Sequence, residues 1–290
     1  MTYSDAVGKI VTEYVQMGDS KIRILLKKSD HIEAPWLVLW PGQCDAAESL
    51  FRVFDLTQHN PINIAVLDPP GHGLSDEPLD YSLKSQQNVW ESVLDRLEVT
   101  KAYIGGYSYG AYSAAMCSLA LSKRVLGLVL VEGGYLALGM GREDYTLESQ
   151  IDRISASFRR RRYTSWEEAR RVVKSKSPVW NEYDEAEFRL SMVEKDGFVI
   201  PRETEETMIM MEQAIAPFSP AVVDELTCPI LILHATLPIG MNDIREAALA
   251  KFSQYAPQTQ IVPIPNCGHT IKEHLPFVMR EILTFILKDS

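Results

Sequence analysis

Six short apolar segments, each closed by a turn or a polar residue, alternate with segments of helical periodicity along the chain. They are WLVLW (36–40), NIAVLD (63–68), YIGGYS (103–108), VLGLVLVE (125–132), PILILHA (229–235) and QIVPIP (260–265). Continuous apolar runs of this length are typical of strands buried on both faces. Because strands that alternate with helices form parallel sheets, the sequence predicts an α/β fold with a mostly parallel central sheet and helices on both faces.

The intervals between these strands divide the chain into a core and an insertion. We expect helices over 46–56, 83–97, 109–121 and 276–287, and an antiparallel hairpin formed by KIVTEYVQ (9–16) and KIRILLKK (21–28). The alternation stops between Gly133 and Cys228. A polar stretch there predicts helices near 147–159, 166–174, 185–193 and 203–214, and no strand pattern of comparable strength appears in it. We therefore predict a core of residues 1–133 and 225–290, with a helical cap over 134–224 inserted after the sixth strand.

Composition excludes several classes of partner. The net charge is −10 over 290 residues, so the surface should repel nucleic acid. The apolar runs are too short to cross a bilayer, and MTYSDAVGKIVTEYVQ lacks the pattern of a secretory signal. The four cysteines are far apart, with no metal-ligand spacing: Cys44, Cys117, Cys228 and Cys267. We expect a cytoplasmic protein with reduced thiols, no metal, no nucleic-acid partner and no membrane insertion.

The most informative motif is Gly106-Tyr107-Ser108-Tyr109-Gly110, which fits G-x-S-x-G. It follows a predicted strand and opens a predicted helix, which is the context of a nucleophile elbow. A sharp turn at this point lifts the serine Oγ above the sheet, and the flanking glycines allow the strand and the helix to pack closely. We therefore predict that Ser108 is a nucleophile.

A serine hydroxyl needs a base to take its proton, and His269 is the best candidate. It lies in PNCGHTIKEHLP, between the last predicted strand and the last helix. This placement brings it to the same carboxyl edge of the sheet as Ser108. The other histidines fit structural roles better: His31, His59, His72, His234 and His274.

A carboxylate must orient the histidine, and the sequence offers two. Glu132 ends the strand after the nucleophile helix. Asp243 lies in the loop after PILILHA, where it also suits the N-cap of the following helix. We favour Glu132 and keep Asp243 as the alternative. An oxyanion hole needs two N–H donors, and we expect them from the backbone of Tyr109 and of Gln43, which follows Pro41-Gly42.

In this order and spacing, LVLWPGQ, LDPPGHGLSD, GYSYG and PNCGH resemble the α/β-hydrolase superfamily. The resemblance covers roughly 10–133 and 225–288, and it implies Ser108, His269 and an acid as a catalytic triad, with Gln43 and Tyr109 as oxyanion donors. Pro41-Gly42 stands where many members have His-Gly. The usual acid position after the seventh strand is empty or displaced, whereas Glu132 matches relatives that carry the acid after strand six. A serine nucleophile argues against dehalogenase and epoxide hydrolase chemistry, which uses an aspartate.

These observations predict a serine hydrolase that needs no cofactor. It would cleave a small to medium ester, thioester or lactone with a mainly apolar acyl or alcohol part through an acyl-serine, and the pocket should be mainly apolar. One alternative is a catalytically weak ligand-sensing protein on the same scaffold. Another is the same triad used for C–C hydrolysis, acyl transfer or perhydrolysis, because one fold hosts many chemistries.

Overall fold

The computed structural model describes residues 10–78, 80–141, 143–177 and 179–288. The strands of its central sheet are β1 (Val11–Met17), β2 (Ser20–Lys27), β3 (Trp36–Trp40), β4 (Asn63–Leu67), β5 (Ala102–Tyr107), β6 (Val125–Val131), β9 (Ile230–Ala235) and β10 (Gln260–Ile264). Two further strands, β7 (Met192–Lys195) and β8 (Phe198–Pro201), form a separate hairpin. The central sheet has the spatial order β1-β2-β4-β3-β5-β6-β9-β10. β2 is antiparallel to both β1 and β4, and the other neighbours are parallel.

Helices cover both faces of this sheet. The core helices are α1 (Arg52–Leu56), α2 (Leu83–Arg96), α3 (Tyr109–Ser118), α8 (Asn242–Tyr255) and α9 (Leu275–Ile286). Alternate residues of β3 enter the two apolar clusters, Val38 and Trp40 with α2, α3 and α8, and Leu37 and Leu39 with α1 and α9. Burial on both faces explains why WLVLW is apolar throughout. The predicted mostly parallel α/β sheet is confirmed.

Two sequence expectations at the N-terminus fall partly outside the structure. Residues 1–9 are not among the described residues, so the prediction that this stretch is no secretory signal lies mostly outside them. The predicted hairpin is observed from Val11 onward. Within the described ranges, no helix combines the length and the apolar character needed to cross a bilayer.

Residues 134–224, which we call the cap segment, connect β6 to β9. They contain α4 (Leu147–Arg160), α5 (Trp166–Lys174), α6 (Glu182–Ser191) and α7 (Glu205–Ile215), besides the hairpin of β7 and β8. Helix α4 packs on α7, and α7 contacts α3 next to the G-x-S-x-G motif. Helix α7, with α4 packed on it, therefore lies next to the carboxyl end of β5. The division into core and cap domains at these boundaries stays a prediction.

The cap segment contains a short hairpin besides the helices that the sequence predicts. Helix α6 ends at Ser191, not 193, and Met192 begins the β7–β8 hairpin. Asp196 and Gly197 connect the two strands with φ values of 53° and 73°. An Asp-Gly pair with both φ values positive forms a tight turn whose twist matches that of the flanking strands. The sequence VEKDGFVI is therefore typical of a β-hairpin.

The loop after β3 is fixed by a buried cluster of charges. The predicted helix over 46–56 is in fact a 3₁₀ turn at Ala47–Leu50 followed by the short α1. Arg23 from β2 contacts Glu48 of this turn at 2.5 Å and Asp68 at 2.6 Å. The Asp68 carboxylate also accepts the Ala47 N–H at 2.7 Å. Because these charges are paired and hydrogen-bonded, the cluster anchors the chain that leaves the carboxyl end of β3.

Candidate active site

Ser108 lies at a strained turn between β5 and α3. Its φ is 52° and its ψ is −115°, a conformation that non-glycine residues rarely adopt. A Cβ added to Gly106 or Gly110 would overlap backbone atoms, including the Trp40 carbonyl oxygen. The two glycines are therefore required by the close approach of α3 to the end of β3, and this packing holds the Ser108 side chain above the sheet.

His269 faces Ser108 from the loop after β10. The Ser108 Oγ lies 3.0 Å from His269 Nε2. Tyr107 supports the loop, since its hydroxyl donates to the His269 carbonyl at 2.7 Å. The His269 side chain is 61% exposed, so the imidazole is open to solvent on one side. The structure thus brings the predicted nucleophile and the predicted base within hydrogen-bonding distance.

Glu132 lies on the other side of the His269 ring. Its Oε2 is 3.0 Å from His269 Nδ1, and its Oε1 accepts from the Ala235 N–H at 2.7 Å and the Tyr135 hydroxyl at 3.1 Å. Burial opposes ionisation, but the hydrogen bonds from His269 and Ala235 outweigh it, so the pKa of Glu132 is lowered from its ordinary value. An ionised Glu132 accepts Nδ1–H from His269 and leaves Nε2 free to accept the Ser108 proton.

The alternative acid, Asp243, is not brought to the histidine. It is an exposed residue in the first turn of α8, and none of the hydrogen bonds among the described residues joins it to His269. It does not cap that helix either, because the N-cap is Met241. The chain reaches α8 through a 3₁₀ turn at Ile239–Met241, which places Asp243 inside the first turn of the helix rather than at the N-cap position.

Gln43 and Tyr109, the expected oxyanion donors, both line the cavity that contains Ser108. Neither backbone N–H donates to a carbonyl of the described residues, so both are free to bind a ligand. The Gln43 side chain donates to the Met208 carbonyl at 3.1 Å, which ties this loop to α7 of the cap segment.

The buried His72 holds the loop after Gln43 in place. The Cys44 N–H is 3.3 Å from His72 Nε2, and His72 Nδ1 is 2.9 Å from the Pro70 carbonyl oxygen. These partners require a neutral ring with its proton on Nδ1. Burial lowers the pKa of His72 to about 4, which is consistent with that tautomer. The expectation of a structural role for His72 is confirmed.

A cavity of about 540 Å³ opens at Ser108, Glu132 and His269 and extends beneath the cap segment. Its apolar part is lined by Leu136, Leu138, Met140, Ile215, Phe218 and Ile244. Its lining also carries charged and amide side chains, namely Asp144, Gln150, Arg153, Glu212 and Arg245. The cavity is therefore mixed in character, which differs from the mainly apolar pocket expected from the sequence.

Sequence reasoning missed the charged residues that the cap segment contributes to this cavity. Arg153 is an exposed residue of α4, and a charge at an exposed helix position is typical of solvated surface. Glu212 is a single acid in TMIMMEQAI, a largely apolar stretch of α7. An isolated acid on an apolar helix was the available signal, because a charge there needs a polar environment or a ligand.

The fold agrees with the comparisons to known proteins. The model of the Alpha/beta hydrolase family matches residues 37–281, and the chain belongs to this family. Among solved structures, an E-2-(acetamidomethylene)succinate hydrolase superposes with a TM-score of 0.78 at 17% identity, over 97% of this chain and 100% of that one. A carboxylesterase from Bacillus subtilis gives a TM-score of 0.70 at 15% identity, over 97% and 93% of the two chains. At these identities the similarity shows the fold alone.

Curated relatives match over shorter segments. A 2-hydroxy-6-oxononadienedioate/2-hydroxy-6-oxononatrienedioate hydrolase of Cupriavidus pinatubonensis is 38% identical over 73 residues, which is 24% of this chain and 25% of the relative. The enzyme of that name from Paraburkholderia phymatum is 33% identical over 103 residues, 34% and 36% of the two chains. The matches therefore span between a quarter and about a third of these relatives.

Proposed function

We propose that this protein is a serine hydrolase that cleaves a small to medium carboxylic ester, thioester or lactone through an acyl-serine intermediate. One observation carries the proposal: an unbroken chain of contacts from Ser108 Oγ to His269 Nε2 at 3.0 Å and from His269 Nδ1 to Glu132 Oε2 at 3.0 Å. This is the arrangement that activates a hydroxyl as a nucleophile, with the third group orienting the base.

In the acylation step, Ser108 Oγ attacks the substrate carbonyl while His269 Nε2 takes the hydroxyl proton. Glu132 stabilises the imidazolium that results. The tetrahedral intermediate then collapses, and His269 returns the proton to the leaving alcohol or thiol. In the second step water attacks the acyl-serine, again with His269 as base, which releases the acid and restores Ser108.

The negative oxygen of each tetrahedral intermediate needs preorganised donors. We assign this role to the backbone N–H groups of Gln43 and Tyr109. Support comes from their position in the lining of the cavity and from the lack of other backbone acceptors for them among the described residues. The cavity volume of about 540 Å³ favours a substrate of modest size.

C–C bond hydrolysis is the second candidate, because the curated relatives are named as hydrolases of 2-hydroxy-6-oxononadienedioate. The same serine, histidine and carboxylate would serve a ketone as the electrophile. Incubation with that compound, followed by mass spectrometry of the products, distinguishes the two reactions. Cleavage much faster than that of any simple ester would favour the second candidate.

The direct test compares wild type and Ser108→Ala with a series of p-nitrophenyl esters. We expect turnover by the wild type and a loss of at least about 10³-fold in kcat for the variant. Circular dichroism and thermal melting would show whether the variant is folded. Equal activity of the two proteins would refute the assignment, and negligible turnover with saturable ligand binding would favour a ligand-sensing protein instead.

A further inference from the structure

The cap segment contributes polar side chains to one wall of the cavity. Helix α4 contributes Gln150 and Arg153, and α7 contributes Glu212. Glu212 is 7% exposed and lines the cavity. None of the hydrogen bonds and ion pairs of the described residues involves its carboxylate, whose oxygens reach the open space of the cavity. The carboxylate is therefore available to accept a hydrogen bond from a ligand.

Arg153 is near this carboxylate but is not paired with it. Burial raises the pKa of Glu212, and the positive charge of Arg153 acts in the opposite direction. Even so, Arg153 forms no ion pair within 4.0 Å with any acidic residue that the structure describes. A donor and an acceptor thus face the same cavity with space between them.

The position of Glu212 relative to the reacting atoms follows from α7. Met208 lies four residues earlier on the same helix face, and its carbonyl accepts from the side chain of Gln43. Four residues of α-helix correspond to roughly 6 Å along the axis. Glu212 therefore lies about one helical turn along α7 from the contact between this helix and the loop next to Ser108, and it lines the same cavity as Ser108.

We propose that Glu212 and Arg153 together bind an uncharged polar group, a hydroxyl or a carboxamide, at the end of the substrate remote from the scissile bond. This specificity assignment rests on the proposed function. A hydroxyl donates to Glu212 and accepts from Arg153, so it satisfies both. A carboxylate would be attracted by Arg153 but repelled by Glu212, and an ammonium group would be attracted by Glu212 but repelled by Arg153. A neutral group that carries both a donor and an acceptor avoids either repulsion.

The kinetic test uses p-nitrophenyl esters with acyl chains of six, eight and ten carbons. At each length, turnover of the ω-hydroxy ester is compared with turnover of the alkyl ester that has CH₃ in place of OH. We expect the wild type to prefer the hydroxy ester by about tenfold or more in kcat/KM at one length at least. Glu212→Leu should lose this preference. Glu206→Gln, an exposed charge change on the same helix, should keep it.

Two further esters test the charge argument. Preference for a carboxylate-ended ester that disappears in Arg153→Met would overturn the proposal in favour of an anion site, and preference for an ammonium-ended ester would also overturn it. Turnover of alkyl esters with no hydroxyl preference at any length contradicts this inference alone. Failure to hydrolyse any ester contradicts the proposed function.

A binding measurement gives a result even without turnover. Titration calorimetry compares methyl 6-hydroxyhexanoate, methyl 8-hydroxyoctanoate and their alkyl counterparts on Ser108→Ala. We expect tighter binding of a hydroxy ester, by about tenfold, and loss of that difference in Ser108→Ala/Glu212→Leu. Equal affinities within both pairs on Ser108→Ala would overturn the proposal, and thermal melting of the double variant would verify that it is folded.

Discussion

Buried glutamates at the sheet edge and in the cap segment have opposite surroundings. Glu132 at the end of β6 has partners on both oxygens, and its pKa is lowered. Glu203, between β8 and α7, is 2% exposed, and neither of its oxygens has a hydrogen bond within the described residues. Burial raises its pKa to about 7. Burial alone therefore does not set the charge of these carboxylates; their hydrogen-bond partners do.

This difference indicates that the sheet edge and the cap segment have separate roles. Strand ends and tight turns fix the groups proposed for catalysis before any substrate arrives, which is what preorganisation requires. In the cap segment, Glu203 and Glu212 have no hydrogen-bond partner among the described residues, so their state depends on pH or on a ligand. The sheet edge should therefore tolerate substitution poorly in catalysis, while the cap segment should govern specificity and the response to pH.

The largest effect should come from Glu132→Gln. An amide cannot accept the proton of His269 Nδ1 as a carboxylate does, so the ring loses its favoured tautomer and the imidazolium its stabilisation. We expect kcat for an ester substrate to fall by about 10⁴-fold. Asp243→Asn is the matched control and should leave kcat unchanged. A larger loss of kcat in Asp243→Asn than in Glu132→Gln would contradict the assignment of Glu132 as the carboxylate that orients His269.

Packing at the nucleophile turn gives the next effect. A Cβ at residue 110 would overlap the carbonyl oxygens of Trp40 and Pro41, so Gly110→Ala should lower the free energy of unfolding by about 3 kcal/mol. Gly240→Ala is the control, since nothing lies within 4 Å of a Cβ at that position. Urea denaturation measures both. Equal stability of Gly110→Ala and the wild type would show that the turn is loosely packed.

Glu203 and Glu132 should give opposite pH dependences of stability. The raised pKa of Glu203 means that its stabilising contribution is complete below its ordinary value of 4.5 and is lost as the pH rises through about 7. The lowered pKa of Glu132 gives stability that is present above 4.5 and lost as the pH falls.

Between pH 5 and pH 8 the wild type should therefore lose on the order of 2 kcal/mol more stability than Glu203→Gln does. Urea denaturation at the two pH values measures this difference, with the exposed Glu206→Gln as control. Parallel losses in the wild type and in Glu203→Gln would show that Glu203 is charged at both pH values.

The smallest effect concerns the support of the histidine loop. Tyr107→Phe removes the hydrogen bond from the Tyr107 hydroxyl to the His269 carbonyl, which is worth about 1 kcal/mol, so kcat should fall about fivefold. Tyr14→Phe, at an exposed position of β1, should have no effect. A Tyr107→Phe enzyme as fast as the wild type would indicate that other contacts position His269.

The sequence predicted the sheet well because each core strand carries its own signal. WLVLW and VLGLVLV are apolar on both faces and end at turn residues, so β3 and β6 were located within one residue. The residues brought together at the sheet edge were predictable for the same reason. In a parallel sheet, Ser108, Glu132 and His269 follow strands that end at one edge, whatever the intervening chain does.

The cap segment was less predictable because its elements are short and depend on contacts with the core. Helix α6 and the β7–β8 hairpin adjoin without a loop, and the Asp196-Gly197 turn was the only local mark of the change. The roles of Glu203 and Glu212 depend on which groups surround them in space. No periodicity in α7 distinguishes an acid that faces a cavity from one that faces solvent.

The most direct test of the account is labelling with a fluorophosphonate probe, followed by mass spectrometry of the modified peptide. We predict covalent modification of Ser108 in the wild type and a strong decrease in the labelling rate in His269→Ala, because the imidazole activates the hydroxyl. Labelling of another residue in place of Ser108, or an equal rate in His269→Ala, would contradict the account.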